Sequence, residues 1–307
     1  MAYQTGTATG PADLLSQLET FIAANGWTVG AATTGKVYSN ASNGLYCGVN
    51  SDTSTIWLLG ATGYNSAAAW NAQPGAPVNT MQAQSNDMAG PYSAYHFFVT
   101  TDYIHVVVEV SAGKFKHLVI GILAKCGAFT GGQYYGAVYW YMTGSTITNY
   151  PESSSHLYLW DAAGLGMGGT GSAGYRQAVR ADIDTKTNNW MQFNALTMST
   201  NYAHGVLRGN GFIQGLWYSG PNSFNGLSPL HPIPVPVDRG SNQTSVLGYV
   251  KDMRIVNLQS LSPGQTVTIG SDQWLCFPVI QKTDVYNVSG SLIPSSGYYG
   301  YAYRMVP

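Results

Sequence analysis

Between Pro11 and Asn25 the apolar residues Leu14, Leu15, Leu18, Phe21 and Ile22 recur at helical spacing. The pattern predicts one amphipathic helix. Pro11 suits the first turn, where its missing N–H is not needed, and Asn25-Gly26 supplies a left-handed stop. After Trp27 the period falls to two, and short runs such as TVGAAT, KVYSN, GLYCGV and TIWLLGAT are divided by Gly, Asn, Ser or Asp. These are predicted strands joined by tight turns. YHFFVTTDYIHVVVEV, from Tyr95 to Val110, reads as a hairpin turning at Thr101-Asp102. KFKHLVIGILAKCG, GGQYYGAVYWYM and YRQAVRADIDT continue the strand pattern, as do SVLGYVKDMRIVNL, TVTIGSDQWLCFPVIQ and YYGYAYRMV.

Two long stretches fit no regular element at this stage. One is the Gly-rich WDAAGLGMGGTGSAG, and the other is GPNSFNGLSPLHPIPVPVD, whose prolines at 229, 232, 234 and 236 demand an extended run. Loops of that length usually carry function or an interface. The fold class expected is mainly β: a sandwich-like or irregular barrel β domain with one N-terminal amphipathic helix and long loops. The organisation expected is an N-terminal helical segment over 1–26 and a mainly β body over 27–307, with a possible division near 145–175.

Composition sharpens this reading. Only 9% of the 307 residues are charged, and Lys plus Arg (13) nearly balance Asp plus Glu (14), where a soluble domain typically carries about 25% charged residues. No basic stripe is available to neutralise phosphates, so a nucleic-acid partner is excluded. With 45% hydrophobic and 13% aromatic residues the chain is too apolar for disorder. So little self-repelling charge suits a subunit whose surface is covered in an assembly, or a protein outside the cell. The N-terminus has neither a basic nor an apolar signal region. The most apolar run, HLVIGILAKCGAF, is broken by Lys125 and falls short of the ~20 residues that span a bilayer, so membrane insertion is not expected.

Candidate chemistry is sparse. Cys47, Cys126 and Cys276 form no C-x-x-C pair and read as small buried hydrophobes. Of the histidines at 96, 105, 117, 156, 204 and 231, His96 and His105 can face each other across the hairpin with His117 nearby. Carboxylates or cysteines at ligand spacing are missing, so no metal or other cofactor is expected. The glycines at 164, 166 and 169 imitate a dinucleotide fingerprint, yet a strand-like segment follows them where a helix is required. Asp182 and Asp184 are expected on one face of a strand, ~7 Å apart, with Arg176 and Arg180 beside them. A surface charge ladder explains them more economically than a hydrolase or a calcium site.

The aromatic clusters say more. Tyr134, Tyr135, Tyr139, Trp140 and Tyr141, with Tyr298, Tyr299, Tyr301 and Tyr303, belong to a total of 22 tyrosines. Core packing is the first reading of them; subunit contact and glycan stacking are the others.

At both ends and in the middle the chain resembles virion structural proteins of tailed bacteriophages. The opening MAYQTGTATGPADLLSQLETFIAANGWT, the central FKHLVIGILAKCGAFTGGQYY, and DQWLCFPVIQK followed by SGYYGYAYRMV carry the likeness. The resemblance implies a non-enzymatic tail, baseplate or tail-fibre subunit in many copies. Such a subunit would be assembled in the host bacterial cytoplasm and partnered by copies of itself and other virion proteins. It transfers no catalytic residue. Pro232, Pro234 and Pro236 and the N-terminal helix are the expected subunit contacts, and Tyr134, Tyr135, Tyr139, Trp140 and Tyr141 the possible interface or glycan contacts. Two alternatives stay open: a host-surface glycan-binding virion module, and a tail enzyme degrading envelope polysaccharide, which would need Asp182, Asp184 or Glu109 in a cleft.

Overall fold

The computed structural model describes residues 1–138, 159, 177–192, 219–239, 244–282 and 298–305. In chain order its first elements are β1 (Ala2–Ala8), α1 (Pro11–Ala24), β2 (Thr28–Ala31), β3 (Lys36–Asn40), β4 (Leu45–Ser51), β5 (Ile56–Ala61) and β6 (Ala83–Ser85). There follow β7 (Tyr92–Val99), β8 (Tyr103–Ser111), β9 (Lys114–Ile122), β10 (Ala124–Lys125), β11 (Thr130–Ala137), β12 (Gln177–Asp182) and β13 (Trp190–Gln192). The last five are β14 (Leu230–Asp238), β15 (Thr244–Asn257), β16 (Gln265–Ile269), β17 (Asp272–Pro278) and β18 (Tyr299–Met305).

These strands make three antiparallel sheets, ordered β2-β3-β4-β5-β6, β1-β7-β8-β9-β11-β12-β13 and β10-β15-β18-β17-β16, with β14 added along β15. The seven-stranded sheet is the middle layer. Along β8, Ile104, Val106 and Val108 enter the core shared with α1 and the five-stranded sheet, while Tyr103 and Val107 enter the core shared with the C-terminal sheet. The same alternation divides Leu118 and Ile120 from Phe115 and Val119 on β9, and Tyr135 from Tyr134 on β11. Strand side chains point to opposite faces in turn, so a strand covered on both sides reads as an unbroken apolar run such as YIHVVVEV. Among the described residues the fold is mainly β and sandwich-like, extended to a third layer, with one α-helix near the N-terminus.

The helix forms as its periodicity requires. Gly10 precedes Pro11 at its start, and Gly26 follows the terminal Asn25 with φ at 86°, a left-handed conformation that favours glycine. Leu14, Leu15, Leu18 and Ile22 are buried against the middle and N-terminal sheets, each burial worth about 1.5–3 kcal/mol. Asp13 accepts a 2.7 Å hydrogen bond from the Thr9 amide, which together with Gln17 holds its carboxyl below the ordinary carboxylate value.

Several sequence expectations need correction. The Thr/Gly lead before the helix is strand β1, paired with β7 from Ala2 opposite Val99 to Ala8 opposite Tyr92, and forms one edge of the middle sheet. The Pro-rich stretch contains a regular element, β14. In an antiparallel pair, a residue's N–H and C=O point to the same side. Prolines at every second position therefore leave the missing donors on one edge, and β14 pairs with β15 from Leu230 opposite Val256 to Asp238 opposite Thr244, with shifts at Pro232/Pro234 and Val235/Pro236. Asp184 is not in the strand with Asp182: β12 ends at Asp182, and Asp184 sits in the following turn with φ at 51°. Cys126 is exposed, whereas Cys47 and Cys276 are buried as expected. The supposed division near 145–175, Arg176 and the Gly-rich stretch lie outside the described residues.

Candidate functional site: an inner histidine–tyrosine seam and an outer apolar strip

Alternation and register bring three histidines to one face of the middle sheet. His96 lies opposite Val107, Val107 opposite His117, and His105 opposite Phe98. The C-terminal sheet covers them with Phe277, Tyr301 and Tyr303. The His96 ring centres 4.7 Å from Phe277, and His117 stacks on Tyr303 at 5.8 Å.

The polar atoms of this seam are largely paired. His117 donates from Nε2 to the Pro278 carbonyl at 2.8 Å. Its Nδ1 therefore accepts from the Tyr303 hydroxyl at 2.7 Å, which fixes the neutral tautomer. His105 Nε2 is 2.9 Å from the Tyr134 hydroxyl, while its Nδ1 is buried with no hydrogen-bond partner among the described residues. His96 Nδ1 meets the Tyr3 hydroxyl at 2.8 Å. Burial pushes the histidines down, to about 4 at His96, about 3 at His105 and about 4 at His117. Glu109 opposes the shift at His96, and the Pro278 bond opposes it at His117. Burial raises the phenols of Tyr103, Tyr134 and Tyr303. At neutral pH the seam consists of uncharged imidazoles and protonated phenols, which can join two sheets without burying a charge. Among the described residues, no group of three or more His, Cys, Asp or Glu side chains is placed to hold a metal ion.

Tyr134 and Tyr135 do not stand where a glycan or a neighbouring subunit could touch them, because both are buried. Tyr134 faces the seam. Tyr135 donates to the Met81 carbonyl at 2.8 Å and packs against Trp190. Tyr299, Tyr301 and Tyr303 are likewise core residues, while Tyr139, Trp140 and Tyr141 lie outside the described residues. The three acids weighed for hydrolysis each have a local partner. Asp182 takes Arg180 at 2.5 Å and the Asn189 amide at 2.8 Å, Asp184 pairs with Arg239, and Glu109 closes a turn on the Gly113 amide at 2.8 Å.

The outer face of the C-terminal sheet is different. On β14, Ile233, Val235 and Val237 point into the core, and alternation puts Pro232, Pro234 and Pro236 on the opposite face, where Pro232 is exposed, Pro236 half-buried and Pro234 buried. Across the ladder Pro234 meets Tyr249 and Pro236 meets Val246, and both partners are 41% exposed. The sequence reading singled out the prolines and missed Val246 and Tyr249. β15 carries a bulge between Val246 and Gly248 that breaks the period of two just there.

The loop that enters β14 presents two more apolar side chains, Phe224 at 97% exposure and Leu227 at 60%. It is held by its own bonds. The Asn222 side chain accepts from the Phe224 amide and the Asn225 side chain from the Leu227 amide. Asn222 N–H reaches the Leu227 carbonyl at 2.8 Å, and Ser260 clamps the Gly226 carbonyl at 3.1 Å. An aromatic framed by Asn, Ser and Gly was the sequence signal for such an exposed tip.

These features define a class: a layered antiparallel β protein of sparse charge, with exposed proline and aromatic side chains on the outer side of its C-terminal sheet. The chain matches no family model and no curated protein.

Proposed function

We propose that this chain is a structural subunit of a tailed-phage particle, in the tail, baseplate or tail-fibre region, working through contacts with copies of itself and other virion proteins. One observation carries the proposal: Pro232, Val246 and Tyr249 are exposed on the outer side of the C-terminal sheet beside the half-buried Pro236, and the adjoining loop projects Phe224, in a chain with only 9% charged residues. Interfaces concentrate their energy in rigid aromatic anchors surrounded by apolar contacts and are depleted of charge at their centre. Proline and a turn-locked phenylalanine lose little conformational freedom when covered. The prolines also withhold donors from the edge of β14 that faces away from β15, which favours face contact over unregulated strand addition.

The test is incorporation. Tyr249→Ser and Phe224→Ser are on the surface and leave the core intact, so both variants should fold with an unchanged circular dichroism spectrum. Each should enter purified particles at about one-tenth of the wild-type level or less in co-expression competition, the scale of losing an interface anchor. Equal incorporation of both variants would refute this reading.

A further inference from the structure

We propose that the histidine–tyrosine seam between the middle and C-terminal sheets is an acid-released joint, through which mild acidification frees the C-terminal sheet while α1 and the N-terminal sheet stay packed. The inference does not depend on the virion reading. It rests on placement: the three histidines of the described middle sheet, His96, His105 and His117, all lie on the face covered by the C-terminal sheet. The other described histidine, His231, lies on β14 in the C-terminal sheet, so among the described residues none is placed on the middle sheet's other face, toward α1 and the five-stranded sheet. Protonation therefore acts on one of the molecule's two main inter-sheet cores and leaves the other alone.

Every group facing these rings makes a charged imidazole unwelcome or offers it little. From the C-terminal sheet come Phe277, Tyr301, Tyr303 and the Pro278 carbonyl. From β1 comes the Tyr3 hydroxyl, and from the middle sheet itself Tyr103 and Tyr134. The charges in reach are Glu109 toward His96, which favours protonation, and Lys116 beside His117, which opposes it. Asp252 is committed to the Tyr103 hydroxyl at 3.0 Å and to Arg304 at 3.2 Å. His231 on β14 is lowered by burial in the same sense.

The sign follows from linkage. The joined seam takes up protons only as pH falls to about 4 at His96, about 3 at His105 and about 4 at His117. Freed histidines bind them below about 6.5. The joint is at full strength above that value and weakens progressively as pH falls from it toward 4. At the other end, Lys251 holds Asp102 at 2.7 Å. This ion pair ties β15 to the β7–β8 turn.

The experiment is hydrogen exchange by mass spectrometry on the full chain, pulse-labelled after equilibration between pH 7.5 and 4.5. Protection should be lost first, near pH 5, in β17 and β18, while β3, β4 and β5 keep theirs. The logarithm of the opening constant should climb by more than one unit per pH unit. His105→Phe and, separately, His96→Gln should each cut that slope by about one proton, even if they weaken the protein at pH 7.5. A variant that fails to fold leaves the other and the wild-type profile to decide. Simultaneous loss of all three sheets, retention of β17 and β18 down to pH 4.5, or slopes unchanged in the folded variants would each overturn the proposal.

Discussion

At the scale of single residues, close backbone approaches and buried polar pairs set the tolerances of this fold. Gly48 on β4 is one such position. A methyl group there would lie 1.8 Å from the carbonyl oxygen of Trp70, a backbone atom that cannot rotate away. Gly48→Ala is expected to cost about 3 kcal/mol, the upper range for overpacking, read as a lowered urea midpoint with an unchanged slope. Histidine placement shows a related economy. His117 spends one ring nitrogen on a carbonyl and the other on a phenol, so a titratable residue becomes an uncharged fastener.

At the scale of elements, β14 is where local chemistry and architecture meet. If its prolines guard the edge that faces away from β15, Pro232→Thr restores an N–H donor on that edge and removes nothing from the core. The variant should keep its thermal midpoint within a few degrees yet self-associate through edge pairing, visible as a rise in light scattering at the same concentration. An unchanged scattering profile would show that the edge is closed in another way.

The helix and the strands from β2 to β5 were legible because their periods, 3.6 and 2, are carried by residues with one buried face. The hairpin β7–β8 was legible from its β-branched density. β1 escaped because AYQTGTA has no apolar alternation: its place is fixed by pairing with β7, a long-range fact. β14 escaped because proline normally argues against a strand, and only the spacing of every second residue makes the ladder possible. The candidate site was half legible. Proline spacing marked one side of the strip, while Val246 and Tyr249 were hidden by a bulge. Burial of Tyr134 and Tyr135 reflects the third layer, which strand periodicity does not encode.

At the scale of the molecule, the described residues pack three sheets around two large cores, with a smaller cluster of Val256, Leu258, Leu261, Trp274, Cys276 and Ala302 on the C-terminal sheet. Both large cores hold buried tyrosines, but the three histidines that the described middle sheet carries all face the C-terminal sheet. The C-terminal sheet therefore carries both the apolar outer strip and the pH-sensitive inner joint. A subunit so arranged can dock through one face of that sheet and respond to its surroundings through the other. Sparse charge and an exposed phenylalanine are consistent with a surface that is covered when the protein is at work.

The central claim is that this surface is an interface within a particle. Quantitative mass spectrometry of purified particles from cells that make the chain tests it most directly. A constant number of copies per particle, retained through density-gradient purification and high-salt washing, is the expected result. Recovery of the chain only in the soluble fraction, with none in the particles, would contradict the account.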